Sequence, residues 1–106
     1  MLRFLNPTQF IKDNTTIFYK ILWDQVLIVL IFTVITYFTY EQYNFPETDS
    51  IEDKMVNSLY FNSATQFSVG YGDFTPTTNL SKIINIIHHL IAYFILATEI
   101  SFIFKA

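Results

Sequence analysis

Two long apolar stretches govern what this chain can fold into. The first runs from Ile21 to Tyr40, and from Val26 onward its only polar side chains are three threonines. The second runs from Ile83 to Phe104 and contains neither Gly nor Pro, as the first does not. A helix needs about 20 largely apolar residues, at about 1.5 Å each, to cross a hydrocarbon core about 30 Å thick. Both stretches reach that length. A soluble fold would have to bury each as a core helix. The rest of the 106 residues is mostly polar and too short to wrap two helices that are apolar on nearly every face. Charged residues make up 14% of the chain, against about 25% in a soluble domain. The expected fold is an all-α membrane protein with two transmembrane helices. The first stretch begins too late, runs too long and lacks a small-residue cleavage site, so it does not read as a signal peptide.

Composition removes several functions. Cys is absent, which excludes disulfides, thiolate nucleophiles and thiolate metal sites. A net charge of −3 argues against a nucleic-acid partner. Asp, His and Ser occur without a catalytic pattern, and there is no phosphate loop, so neither an enzyme nor a bound cofactor is expected. Orientation follows from the cations. Arg3, Lys12, Lys20 and Lys105 flank the spans on the terminal side, whereas the intervening segment carries Lys54 and Lys82 among Glu41, Glu47, Asp49, Glu52, Asp53 and Asp73. Both termini are therefore expected in the cytosol. The acidic segment would face outside and concentrate cations.

Residues 41–55 are polar, acidic and broken by Pro46, which reads as an exposed turret loop. Asp49 or Ser50 is placed to cap a helix. From Val56 the pattern changes: Val56, Leu59, Tyr60, Ser63 and Phe67 recur at helical spacing. A helix over 56–67 is too short to span but suits a re-entrant segment. Then follows Ser68-Val69-Gly70-Tyr71-Gly72-Asp73, which holds both glycines of the protein. Glycines two apart permit positive φ at alternate residues. A strand of alternating handedness turns successive carbonyls to one side. Four such strands around an axis would stack rings of carbonyl oxygens able to replace a cation's hydration shell.

Thr65-Gln66-Phe67-Ser68-Val69-Gly70-Tyr71-Gly72-Asp73 resembles the potassium-channel signature, whose filter reads Thr-Val-Gly-Tyr-Gly followed by Asp. The order span, pore helix, filter, span covers residues 21–104. In size the chain is similar to the miniature potassium channels of large algal viruses. Tyr60-Phe61, Pro76 with Thr78, Lys82 and His88 extend that resemblance. It implies a pore-only, two-transmembrane potassium channel: a homotetramer in lipid conducting K⁺ passively and blocked by Ba²⁺-like ions, in a host-cell or virion membrane. By the same resemblance, carbonyls of Ser68, Val69, Gly70 and Tyr71 line the ion sites, the Ser68 hydroxyl completes the innermost one, and Gly72 shapes the outer mouth. Thr65 and Phe67 support the filter, and Tyr93, Leu96 and Ile100 line the cavity.

Departures from the signature carry their own expectations. Ser68 stands for Thr, keeping the hydroxyl but losing the methyl that stiffens the side chain. Phe67 stands where a hydroxyl residue is usual, so an apolar wall is expected behind the filter. Tyr60-Phe61 replaces a tryptophan pair, and Tyr60 is expected to hydrogen-bond Asp73. Ala92 occupies about the place of a glycine hinge, and no Arg-rich voltage-sensing span is present. A weakly selective cation channel and a non-conducting accessory subunit are the alternatives.

Ionisable groups at membrane depth are costly and hence functional candidates. Asp24 is expected to pair with Lys20 one turn earlier. Glu99 either faces the cytosolic mouth or pairs with Lys105 or a neighbouring subunit. On the second span, His89, Tyr93, Leu96 and Ile100 share one stripe, and His88, Ala92, Ile95 and Glu99 the next. His88 is expected against the pore helix as a neutral, hydrogen-bonded side chain, with a pH gate as the alternative because His titrates near 6.5. Residues 1–20, with Pro7 as a helix start, read as an interfacial helix.

Overall fold

The computed structural model describes residues 6–104. Four helices follow one another: α1 Pro7–Asp13, α2 Thr15–Phe38, α3 Ile51–Gln66 and α4 Asn79–Phe104. Asn6 opens α1 by accepting the Gln9 amide at 3.2 Å, with Pro7 at the first helical position. That position tolerates Pro because its missing N–H has no helical partner anyway. Asn14 alone separates α1 from α2, with its amide closing back on Ile11 O at 3.2 Å. The expected helix over 1–20 therefore divides. Residues 7–13 form their own short helix, 15–20 begin α2, and residues 1–5 lie outside the described part. The Thr15 hydroxyl donates to Ile11 O at 2.8 Å, which satisfies a carbonyl at the break.

α2 has 24 residues and α4 has 26, about 36 and 39 Å of helix. Both exceed the thickness of a hydrocarbon core. Their outward surfaces carry Trp23, Phe38, Leu90 and Phe94, each at least 66% exposed. The threonines of α2 cost little there. Thr33 and Thr39 donate to carbonyls one turn earlier at 2.7 and 2.8 Å, so these two hydroxyls are satisfied within the helix. The two long helices run antiparallel, which puts the start of α2 beside the end of α4. Ile28 and Phe32 of α2 pack with Ala92 of α4, and Ile35, Ile84 and Ile95 close around them.

The turret reading of 41–55 needs correction. The loop's tip is exposed, but Tyr43 and Phe45 are buried with Tyr40 and Phe61 in an aromatic cluster, and Phe74 packs against it. Phe45 stacks on Tyr40 at 4.7 Å and meets Phe61 and Phe74 edge-on. The Tyr40 hydroxyl donates to Pro46 O and accepts from Asn57 Nδ2, so the phenol is buried without an orphaned group. α3 also begins at Ile51, five residues before Val56. Ser50 is its cap, accepting the Asp53 amide at 3.2 Å, and Glu52 and Asp53 occupy the positive end of the helix dipole. α4 likewise starts before Ile83, because Thr78 and Ser81 bond reciprocally across its first turn.

Candidate functional site: the filter loop and its supports

α3 leaves the helix at Phe67, and the chain turns back on it. The Val69 and Gly70 amides both donate to Ala64 O, at 2.9 and 3.3 Å, and the Ser68 amide to Thr65 O. The last carbonyls of α3 are thereby satisfied by the loop that follows. Beyond them the backbone alternates in hand. Ser68, Gly70 and Gly72 have φ of +59°, +58° and +80°, while Val69 and Tyr71 stay in the ordinary region. No atom lies within 4 Å of a Cβ built on either glycine. Gly is needed there for its φ and not for space. Ser68 joins the alternation without being Gly. A β-branched Thr is a stronger outlier at positive φ, which gives Ser a physical reason at this position. The Ser68 hydroxyl contacts the Tyr93 hydroxyl of α4. The negative end of the α3 dipole adjoins the same place, a cavity lined by Gln25, Gln66, Phe67, Ser68, Tyr93 and Leu96.

The far side of the loop is braced by aromatic and polar contacts. Tyr60 donates to Asp73 Oδ2 at 3.0 Å, and its ring stacks on Tyr71 with centroids 5.6 Å apart. Desolvation, and then the Asp73 carboxylate, hold the Tyr60 phenol above its ordinary pKa. Asp73 also accepts the Phe74 amide on Oδ1 and, through its carbonyl, Asn44 Nδ2. Asn44 and Thr75 exchange further bonds at 2.6 and 3.1 Å, and Gln42 takes Thr77 and Thr78. The segment after the filter is thus tied to the loop after α2.

Behind the filter lies the largest departure from the sequence reading. The expected stripe Val56, Leu59, Tyr60 and Phe67 is 38–57% exposed within the chain. Phe67 does not pack behind its own filter. The buried face of α3 is instead Ser58, Phe61, Asn62 and Gln66. Asn62 Nδ2 donates to Thr36 Oγ1, Ser58 O and Phe32 O. Gln66 Nε2 donates to both oxygens of Gln25, at 2.8 and 2.9 Å, and Gln66 Oε1 meets His88 Nε2 at 2.9 Å. Because Oε1 can only accept, His88 carries its proton on Nε2. The His88 ring is 1% exposed and stacks on Phe32, centroids 4.2 Å apart. The wall is hydrogen-bonded and not apolar, and one side chain, Gln66, joins all three long helices. Serine, asparagine and glutamine at 58, 62 and 66 repeat every fourth residue. That polar stripe was the available signal.

On α4, His88, Ala92 and Glu99 are buried and Ile95 half-buried, whereas Tyr93 and Ile100 are about two-fifths exposed and Leu96 half-buried. His89 bonds Asn85 O and stacks beside Tyr93. Within the described residues Glu99 finds a partner that was not among those expected. It meets Lys20 Nζ at 3.3 Å, and Lys20 holds Asp24 at 2.7 Å. Lys105 lies outside the described residues. Antiparallel packing brings Lys20 and Glu99 together across 79 residues of sequence, a separation that helical spacing cannot reveal.

With this geometry in place, the comparisons with known proteins give a family. A profile described as ion channel, of the two-transmembrane potassium-channel kind, matches residues 24–106. The chain belongs to that family, and it is an integral membrane protein with the helical channel fold. Neither the curated proteins nor the solved structures compared with it give a match.

Proposed function

We propose that the chain is a K⁺-selective channel that conducts passively as a homotetramer. One observation carries this reading: the alternation of φ at Ser68, Gly70 and Gly72, at the end of a short helix between two membrane-length ones. Backbone of alternating hand presents its carbonyls in succession to one axis, and one chain supplies one strand of such a pore. In this reading Ser68, Val69, Gly70 and Tyr71 line the K⁺ sites and Gly72 forms the mouth. Tyr60, Asp73, Thr65 and Phe67 support them. Tyr93, Leu96 and Ile100 face the inner cavity, and His88 and Glu99 act on the pore through Gln66 and Lys20. The exposed stripe of α3 faces a neighbouring subunit. Both termini are cytosolic, and the membrane is that of a virion or its host.

The test is the purified tetramer in a planar bilayer under an asymmetric K⁺ gradient, with Na⁺ replacement and added Ba²⁺. Reversal at the K⁺ potential with Ba²⁺ block supports the proposal. Silence from a verified tetramer favours a non-conducting accessory subunit. The contact of the Ser68 hydroxyl with Tyr93 favours a second reading, a weakly selective cation channel, because that hydroxyl is drawn away from an ion. Ser68→Thr keeps the hydroxyl and restricts its rotation, so it is expected to release Tyr93, tightening Ba²⁺ block and raising K⁺ over Na⁺ preference. Unchanged block and reversal potential would remove the second reading.

A further inference from the structure

A continuous groove runs between α2 and α4. One part is lined by Leu27, Ile31, Ile35, Ile91 and Ile95, with a cavity of about 560 Å³. The next, about 480 Å³, is lined by Ile17, Lys20, Thr98, Glu99 and Phe102. Asp24 and Ile95 border both. The groove is apolar over most of its length and charged at the end beside the start of α2 and the end of α4. Such a groove on a membrane protein matches the outline of one phospholipid: an acyl chain beside apolar side chains and a headgroup beside ionic ones.

The charges decide which phospholipid. Among the described residues that line it, Lys20 is the one cation, and it lies between two carboxylates. Two acidic side chains face one ammonium among the described residues, so an anionic headgroup is disfavoured and an ammonium is attracted. Asp24 is one-third exposed, and Lys20 engages it through Oδ2. Glu99 is 8% exposed, and its Oε1 is buried without a hydrogen-bond partner. Lys20 Nζ has three N–H donors and spends two on these carboxylates. Its third suits a phosphate oxygen. An N–H-bearing ammonium beside Asp24 with a phosphate beside Lys20 is the headgroup of an aminophospholipid. A trimethylammonium carries the same charge but has no N–H to donate.

We infer that this groove binds a zwitterionic aminophospholipid of the phosphatidylethanolamine class, its ammonium on Asp24, its phosphate on Lys20 and a chain along Leu27, Ile31 and Ile95. Retention of lipid is read independently of conduction, so this site and the channel reading stand or fall separately.

The experiment is native mass spectrometry of the purified full chain. It is equilibrated with equal amounts of phosphatidylethanolamine, its mono- and dimethylated forms, phosphatidylcholine and phosphatidylglycerol, all of one chain composition. Retention is expected to fall stepwise with each methyl group, to about one-tenth for phosphatidylcholine, and to be lowest for phosphatidylglycerol. Asp24→Asn abolishes the headgroup preference, and Ile31→Trp, which fills the groove, reduces retention of every headgroup alike. Equal retention across the series, preference for phosphatidylglycerol, or a preference that survives Asp24→Asn overturns the inference. So does an absence of retained lipid, the result expected if a second copy of the chain covers the groove. The methylation series needs no variant and decides the question even if both substitutions prevent folding.

Discussion

At the loop end of the molecule, Tyr40, Tyr43, Phe45, Phe61 and Phe74 close into one aromatic cluster, and Gln42, Asn44 and Asp73 stitch three segments together. At the terminal end, α2 and α4 are joined by Lys20 with Glu99, beside an open groove. The loop end buries large rings and satisfies its buried phenol. The terminal end relies on an ion pair whose cation is two-thirds exposed, and such pairs contribute little. The contrast teaches where aromatic packing is concentrated: around the loops that hold residues 68–74.

The strongest way to break this contrast is at the filter backbone. Gly70→Ala puts a Cβ on a residue at φ +58°, costing about 1–2 kcal/mol per chain in the left-handed conformation. The carbonyl is then expected to turn away and the current to vanish in the bilayer, although the protein still folds and inserts. Conduction at wild-type level would show that the alternation is dispensable.

A paired substitution measures the two ends directly. Phe45→Ala removes a ring at the centre of the aromatic cluster and is expected to cost about 3–5 kcal/mol, read as a lower melting temperature. Lys20→Gln should leave that transition nearly in place. Comparable losses from the two variants would erase the distinction between the ends.

Gln66→Leu sharpens the comparison at mid-membrane. It strands the His88 Nε2–H and the Gln25 acceptors, at about 1–3 kcal/mol for each buried orphan. Destabilisation is expected here, with altered open times. Wild-type melting and gating would mean that the three helices do not depend on this junction.

Tyr60→Phe has the smallest expected effect. It removes one hydrogen bond but keeps the ring on Tyr71 and Phe74, so shorter openings are expected with the reversal potential unmoved. The phenol's raised pKa fixes the pH dependence. Stability from its neutral form is fully present below the ordinary phenol pKa of about 10 and lost as pH rises through the higher folded value. A pH dependence of opening below pH 9 that disappears in Tyr60→Phe would contradict this.

Much of the site was legible in the residues themselves. Glycine at 70 and 72 forecasts positive φ because few other residues adopt it cheaply. Tyr60 and Asp73 were readable as partners, and their bond is present at 3.0 Å. The stripe of His88, Ala92 and Glu99 was visible from helical spacing, and these residues are buried together. The orientation of α3 was not legible. Apolar spacing pointed to Val56, Leu59 and Phe67 as its packing face, a rule that holds when water is the alternative. Within a membrane the polar face turns inward to find partners, because lipid offers no hydrogen bonds. Tyr43 and Phe45 were obscured in the same way by the acidic residues around them.

The sequence by itself determined the two spans, the short helix and the glycine loop of alternating φ between them, because apolar length and glycine spacing are local constraints that hold in any surroundings. Only the tertiary structure decided that Gln66 links Gln25 to His88, that Glu99 meets Lys20 rather than a residue nearby in sequence, and that Tyr43 and Phe45 are buried. Those pairings depend on how antiparallel helices register against one another. That register is set by many weak contacts at once and leaves no signature in any single stretch of chain.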